Sequence, residues 1–239
     1  MIVRTYPRRG LHGAVVHEIG VRIVRGELKP GDPLPDDGLL DEPGVSRTVL
    51  REAIKVLAAK RLVESRPKTG TRVRPRRDWN LLDPDVLAWQ IEAGPDSAFL
   101  GQALELRRMI EPSAARLAAE RATDDQIAAL YQAYEEMAAA GDDLDAFMEP
   151  DLRFHRLLLE ACRNELLEHM SEIFTALLRT IFAYSSSSSR AYPRAARRHR
   201  AIVRAIDGRD PDAAEQGVLR LIDDTKSNVA SAVRRRSRR

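Results

Sequence analysis

The chain has 239 residues, of which 44% are hydrophobic and 31% are charged, and its formal net charge is +3. This length allows two modest hydrophobic cores, as in a small domain joined to a larger one. The single cysteine excludes a disulfide framework within the chain. We find neither a long apolar run nor a signal peptide, so the sequence predicts a cytoplasmic protein that does not insert into a membrane.

Positive charge is concentrated in the first third of the sequence. Residues 1–78 contain 17 Lys and Arg against 10 Asp and Glu, whereas residues 79–239 contain 22 against 26. A basic excess confined to one domain indicates a nucleic-acid surface there. The Arg-rich C-terminal end is interpreted as a disordered, solvated basic tail, residues 231–239, with weak attraction to phosphates as the alternative.

A basic amphipathic helix is predicted at residues 45–53, Val-Ser-Arg-Thr-Val-Leu-Arg-Glu-Ala. Arg47 and Arg51 are four residues apart and share one face, and each guanidinium can donate two hydrogen bonds to the O6 and N7 of guanine. Ser46 and Thr48 suit contacts to phosphates, as do the first N–H groups of a helix. The alternative is an ordinary surface helix with a solvated arginine face.

A glycine-centred hairpin tip is predicted at residues 68–73, Lys-Thr-Gly-Thr-Arg-Val, between two basic extended segments. Upstream, residues 26–35 read Gly-Glu-Leu-Lys-Pro-Gly-Asp-Pro-Leu-Pro and separate a helix from a second short helical segment. Together these features predict a winged helix-turn-helix, which lays its basic helix in the DNA major groove.

These motifs, within residues 10–75, resemble the N-terminal domain of GntR-family transcription regulators. The resemblance implies a homodimer that binds double-stranded DNA at a pseudo-palindromic operator. It assigns DNA contacts to residues of the recognition helix and the wing tip: Ser46, Arg47, Thr48, Arg51, Thr69, Gly70 and Thr71. Many members continue the Leu-Pro motif with Ser-Glu-Arg and contact DNA through that arginine. This chain has Asp36-Asp37-Gly38 there, so we expect that contact to be absent.

The sequence after the basic region predicts a second, helical domain. We place the DNA-binding domain at residues 1–78, a linker helix segment at 79–94 and a bundle at 95–230. Within the linker segment, Asp83-Pro84 marks the start of the helix. Ala, Leu, Glu and Arg dominate the bundle, which favours helices. The fold class is therefore mainly α, a winged helix-turn-helix followed by an all-α antiparallel bundle of six or seven helices. Its breaks are predicted near residues 94–95, 123–124, 141–142, 149–150, 163–164, 185–189 and 208–210.

One group of polar residues in this bundle suits a metal ion. Asp151 and His155 are four apart on a helix that we expect Pro150 to begin, so both side chains leave the same face. His199 opens a later helix and meets them if the two helices pack side by side. Asp with two His suits zinc, nickel, manganese or iron. The alternative is that His155 is a core histidine held by Asp151, with His199 exposed.

The second half of the chain also resembles a known domain. Residues 107–112 (Arg-Arg-Met-Ile-Glu-Pro), 117–121 (Leu-Ala-Ala-Glu-Arg) and 151–155 (Asp-Leu-Arg-Phe-His) resemble the FCD ligand-binding domain of FadR-type GntR regulators. The resemblance implies that Asp151, His155 and His199 ligate a divalent metal, with zinc as the first candidate. Most metal-binding members add a third His at the position of Leu221. We therefore expect three protein ligands here, with the shell completed by an effector or water.

Residues 79–89 and 212–216 are similar to FCD regulators of galactonate catabolism. This likeness implies a repressor of sugar-acid catabolism that a galactonate-like aldonate, bound at the metal site, releases from its operator. It assigns the acid's carboxylate to Arg107, which suits a guanidinium fork. Four further effector contacts are implied: Arg179, Asn164, Ser185 and Ser186. The alternatives are another small carboxylate as effector and a flexible loop for the serine run 185–189.

Two other functional classes remain open at this point. An Asp/His/His site with free positions could activate water in a metal-dependent enzyme. We find no well-placed general base beside the ligands, and an enzyme has no use for a winged domain, so we predict that the chain is not an enzyme. A nucleoid-type DNA binder would bind DNA regardless of sequence and regardless of small acids.

Overall fold

A computed structural model of the chain describes residues 10–34, 46–66, 70–94, 97–185 and 191–236. Within these ranges the chain forms nine α-helices, a short 3-10 helix and a two-stranded antiparallel sheet. The chain divides into two compact units, Met1–Pro95 and Asp96–Arg239. No helix in the described ranges is long and apolar enough to cross a membrane. The mainly α fold class is confirmed.

The first unit contains the predicted recognition helix and wing. Its elements are α1 (Leu11–Val24), α2 (Arg47–Ala59), β1 (Val63–Arg66), β2 (Gly70–Val73), a 3-10 helix (Arg76–Asp78) and α3 (Pro84–Ala93). Helix α2 buries Leu50, Ala53 and Leu57 and leaves its basic face exposed. In the sheet, Val63 pairs with Val73 and both are buried. The predicted second helical segment and residues 36–38 lie outside the described residues.

Helix α3 is part of the first unit. The Trp89 ring packs against Gly20 of α1, and its Nε1 donates a hydrogen bond to His17 Nδ1 at 3.0 Å. The other ring nitrogen of His17 lies 3.1 Å from Glu92 Oε1. Val86 and Trp89 are buried in the same core as α1 and α2. The predicted boundary at residue 78 was therefore wrong, because α3 supplies apolar surface that this small core needs.

An ion cluster joins the end of α2 to the start of α3. The Lys60 ammonium is buried, 2.9 Å from Asp83 Oδ1 and 2.7 Å from Asp85 Oδ2. Asp83 also caps α3 by accepting a hydrogen bond from the Asp85 backbone N–H. A buried ammonium requires such partners, since an unpaired charge in a protein interior is costly.

Gly20→Ala is expected to destabilise the first unit by about 1–3 kcal/mol, the usual effect of overpacking a core. A Cβ atom at this position would lie 2.6 Å from carbon atoms of the Trp89 ring. Denaturant unfolding followed by tryptophan fluorescence measures the change, because Trp79 and Trp89 are the only two tryptophans and both lie in this unit.

The control is Gly101→Ala on α4, where an added Cβ has no atom within 4 Å. Because Gly101 lies in the second unit, alanine there should leave the unfolding of the first unit unchanged. Wild-type stability in the Gly20 variant would contradict the close packing of α3 on α1.

The second unit is a helical bundle, and six of its helices lie in the described residues: α4 (Ser97–Arg121), α5 (Asp124–Ala139), α6 (Leu144–Ala161), α7 (Glu165–Ser185), α8 (Ala191–Asp207) and α9 (Pro211–Arg236). This confirms the predicted helical bundle. Thr123 and Gln126 form a capping box that starts α5. Helix α4 packs along α9 and α6, and Phe154, Leu158 and Ile202 lie in the shared core.

Two predicted boundaries in this unit differ from the structure. Helix α6 begins at Leu144, because Asp143 accepts hydrogen bonds from the backbone N–H groups of Asp145 and Ala146, and Pro150 lies buried within it. Helix α9 continues to Arg236, so the predicted disordered tail was wrong for residues 231–236. Its apolar face explains the extension, since Val229 and Ala232 are both buried. Residues 237–239 lie outside the described part of the chain.

Candidate DNA-binding surface and metal centre

The start of α2 presents the predicted DNA-contacting side chains. Ser46, Arg47, Thr48 and Arg51 are all exposed there. The Ser46 hydroxyl oxygen caps the helix by accepting from the Val49 N–H at 3.3 Å. Its O–H remains able to donate to a phosphate, so capping and phosphate binding are compatible at this residue.

The wing differs from the prediction at Thr71. Gly70 is exposed and has a φ of +74°, which suits a tight hairpin tip. Thr71 is only 7% exposed, and its hydroxyl lies 2.9 Å from that of Ser65, so it holds the hairpin together and is not available to DNA. Thr69 lies outside the described residues. Arg66, exposed and directly opposite Gly70 in the pairing, is a contact candidate that the sequence analysis missed.

Asp151, His155 and His199 meet inside the bundle. One ligand atom from each lies within 4.8 Å of the others, and all three side chains are buried. His199 Nε2 is 3.3 Å from Asp151 Oδ1 and 3.4 Å from His155 Nε2. The interpretation of His199 as exposed is wrong, since it lies in the middle of α8 and is fully buried.

Both the spacing and the protonation of this cluster suit a metal ion. A tetrahedral zinc with bonds of about 2.0–2.1 Å holds its ligand atoms about 3.3 Å apart, close to the two distances found here. His199 Nδ1 lies 2.8 Å from the Ala195 carbonyl oxygen, which fixes its proton there and leaves the Nε2 lone pair facing the cluster. Burial lowers the pKa of His199 to about 4 despite the opposing attraction of Asp151, so the ring is neutral at neutral pH.

A buried ion pair adjoins the cluster. On α4, Arg107 Nε donates to Glu111 Oε1 at 2.6 Å and Arg107 Nη2 donates to Glu111 Oε2 at 3.0 Å. Burial alone would raise the pKa of the Glu111 carboxyl, but Arg107 and His155 outweigh it and hold this pKa well below its usual range. Burial also opposes the charge of Arg107, yet Glu111 raises the pKa of the guanidinium. Both groups are therefore charged at neutral pH.

A cavity of about 60 Å³ opens onto these residues. Its wall includes the functional side chains Arg107, Asp151 and His155. The stacked and tilted rings of Phe147, Phe182 and Tyr192 form part of the remainder. The cavity is large enough to hold ordered water. Its charged end and aromatic side suit a small anion with an apolar face.

The structure gives Arg179 and Asn164 partners outside this cavity. Arg179 makes a bidentate pair with Glu149, both contacts at 2.8 Å, and does not line the cavity wall. Asn164 caps the start of α7 by accepting from the backbone N–H groups of Leu166 and Leu167. The side chain of Ser185 and the whole of Ser186 lie outside what the structure describes. Among the three predicted effector side chains that the structure describes, Arg107 lines the cavity and Arg179 and Asn164 do not.

Helix α9 supplies cavity residues that the sequence analysis missed. Leu221, at the position of the additional His, lines the cavity together with Thr225 and Asn228. These three residues follow one another at intervals of four and three, so they share one helix face. Because Leu221 stands at the position of a metal ligand, helical periodicity alone places Thr225 and Asn228 on the face that meets the cavity.

Comparison with known proteins agrees with both halves of this architecture. Residues 11–73 match the family of bacterial regulatory proteins called the gntR family, and residues 102–224 match the FCD domain. The chain is 39% identical over 210 residues to the galactonate operon transcriptional repressor of Escherichia coli K12, covering 87% of this chain and 92% of that repressor. The chain belongs to the GntR family.

Other relatives of this GntR protein are also transcription regulators. It is 32% identical to LutR of Bacillus subtilis, over 86% of this chain and 96% of LutR. It is 33% identical to the repressor NanR of Citrobacter rodentium, over 90% and 84% of the two chains. Lar, which controls expression of the Listeria monocytogenes agr system, shares the fold, with a TM-score of 0.66 at 18% identity over 93% of this chain and 98% of Lar. The GntR protein is therefore a transcriptional regulator and not an enzyme.

Proposed function

We propose that this regulator is a homodimeric repressor of sugar-acid catabolism, released from its operator by a galactonate-like aldonate that binds at a metal site. The observation that carries the proposal is the convergence of Asp151, His155 and His199 beside the buried guanidinium of Arg107, all at one cavity. The similarity to the galactonate operon repressor supports the choice of acid.

The chemistry of the cavity matches a hydroxy acid. The two His and one Asp suit a borderline metal such as zinc, and a bound divalent cation supplies positive charge for carboxylate and hydroxyl oxygens. Arg107 Nη2 lies 3.4 Å from His155 Nε2, so a single small anion can reach both the guanidinium and the metal ligands. Thr225 and Asn228 offer polar groups for further hydroxyls.

Release from DNA follows from the small size of the cavity. Pockets for small molecules usually enclose about 300 Å³ or more, whereas this cavity encloses about 60 Å³. A six-carbon acid therefore needs the helices around it to move apart, and it binds that opened bundle in preference to the closed one. A differential affinity of about 5.5 kcal/mol shifts such an equilibrium from 1% to 99% open. In the open state the dimer no longer holds its two recognition helices at operator spacing.

Binding of galactonate should raise the thermal unfolding temperature of the purified protein by roughly 5–10 °C. A ligand at 100 times its Kd stabilises the folded state by about 2.7 kcal/mol. Each kcal/mol raises the unfolding temperature of a chain of this size by roughly 2–4 °C. The measurement is a thermal unfolding series with a panel of acids led by galactonate and gluconate, before and after a chelator removes metal.

The expected result is a shift with a sugar acid that disappears after chelation. A shift that survives chelation would remove the metal from the mechanism. If no sugar acid shifts the transition but another small carboxylate does, the regulator responds to that carboxylate and the sugar-acid proposal fails.

A further inference from the structure

The carboxylate of Glu111 lies between the two parts of the proposed effector site. We propose that Glu111 is a positioning residue that orients His155 toward the metal and holds Arg107 toward the effector. This inference rests on the metal site of the proposed function. It assigns a role to a side chain that neither ligates the metal nor lines the cavity.

The first contact is with His155. His155 Nδ1 lies 3.1 Å from Glu111 Oε2, and its Nε2 lies 3.4 Å from His199 Nε2. A proton on Nδ1 therefore faces a carboxylate, and the Nε2 lone pair faces the cluster. Carboxylates behind metal-bound histidines act in this way, by fixing the tautomer and raising the basicity of the ring.

This contact is close but not aligned as a hydrogen bond, since His155 Nδ1 has no bonded partner among the described atoms. The 3.1 Å separation is within hydrogen-bonding range, so alignment requires a change in the orientation of the ring and not a closer approach. A metal held at Nε2 would make Nδ1–H a stronger donor to Glu111. The two histidines differ in this respect, because a backbone carbonyl already fixes His199.

The second contact is with Arg107. The same carboxylate takes two hydrogen bonds from the guanidinium, at 2.6 and 3.0 Å, and both side chains are almost completely buried. This bidentate pair fixes the direction of the Arg107 guanidinium, which lines the cavity and whose Nη2 also lies 3.4 Å from His155 Nε2. One carboxylate thus sets the geometry of the metal ligand and of the effector anchor, which couples the two binding events.

Glu111→Gln tests the inference because it keeps the shape of the side chain and removes the charge. Metal affinity should fall roughly 10- to 100-fold, the usual effect of losing a carboxylate behind a metal-bound histidine. Competition between the full-length protein and a chromophoric chelator for Zn²⁺ measures the affinity, and the visible spectrum of bound Co²⁺ reports the ligand geometry. Glu111→Asp keeps the charge and should recover part of the loss.

The matched control is Asp223→Asn on α9. It removes an exposed carboxylate that pairs with Arg108, which lies on the exposed side of α4, the helix that carries Glu111. It should bind Zn²⁺ like the wild type. A second readout needs no metal: ¹⁵N shifts of the five histidines in the folded protein should show the His155 proton on Nδ1 in the wild type and redistributed in Glu111→Gln. If Glu111→Gln does not fold, the same comparison is made with Glu111→Asp.

Wild-type metal affinity and an unchanged His155 tautomer in the variants would overturn the role of Glu111, as would a wild-type protein that binds no Zn²⁺. Release of operator DNA by galactonate is measured separately on the wild type. If galactonate fails to release DNA while Glu111→Gln loses metal affinity, the proposed function fails and the role of Glu111 stands.

Discussion

Replacing Arg47 and Arg51 together by alanine is expected to weaken operator binding by roughly 30-fold to more than 10,000-fold for each half-site. Both side chains are exposed at the start of α2, four residues apart on one face. A bidentate arginine–guanine contact contributes about 1–3 kcal/mol of discrimination, so two contribute about 2–6 kcal/mol. Stability should not change, because the buried face of this helix is formed by Leu50, Ala53 and Leu57.

Fluorescence anisotropy measures this loss on an operator selected from a random duplex library, with scrambled DNA alongside. The control is Lys55→Ala, which removes an exposed cation further along α2 that pairs with Glu52. It should lower affinity for both DNAs by a similar small factor, as expected for a phosphate contact. Near wild-type operator affinity in the double arginine variant would place the base-reading surface elsewhere, and loss of cooperative unfolding would show that these arginines support the fold.

The recognition helix could be predicted from sequence because the residues that define it are close together in the chain. The hydrophobic spacing of Leu50, Ala53 and Leu57 and the Ser46 cap lie within a dozen residues and leave one face for the arginines. Helix α3 was assigned to a linker for the opposite reason. Its start at Asp83 was visible, but its packing partner Gly20 is distant in the sequence. Sequence patterns predict a helix more readily than the surface on which it packs.

The same distinction applies to the metal centre. The spacing of Asp151 and His155 places both on one helix face, but only tertiary packing brings His199 of α8 to within 3.4 Å. The resemblance to the FCD domain supplied that juxtaposition, and the structure agrees with it. The role of Glu111 was not anticipated. Its pairing with Arg107 is local to α4, but its contact with His155 depends on how α4 packs against α6.

Three predicted contact residues bond to other groups of the protein in this structure. Asn164 caps α7, Arg179 pairs with Glu149, and Thr71 bonds across the hairpin to Ser65. Each of these polar groups was assigned to a ligand or to DNA because of its position in a motif. Polar side chains bond more often to their own protein than to a ligand, so a motif position alone is weak evidence for contact.

His199→Gln is expected to lower metal affinity more than 100-fold and to abolish stabilisation by the sugar acid. The binding free energy of Zn²⁺ at structural sites with four ligands is about 10–16 kcal/mol, which is roughly 3 kcal/mol or more per ligand. This site has three protein ligands, so the loss of one removes a larger fraction of the binding free energy. Glutamine is close in size to histidine, and its amide N–H can still donate to the Ala195 carbonyl that His199 Nδ1 faces at 2.8 Å. The fold should therefore persist while the ligand is lost.

The measurements are metal content per chain after dialysis and thermal unfolding with and without galactonate. His169→Gln provides the matched control, since His169 is exposed on α7 and its Nδ1 lies 2.8 Å from the Glu165 carbonyl oxygen of its own helix. That variant should retain metal and the sugar-acid response. Equal metal content in the two variants would exclude His199 as a ligand. Loss of the sugar-acid response in the His169 variant as well would indicate that the response does not pass through this cluster.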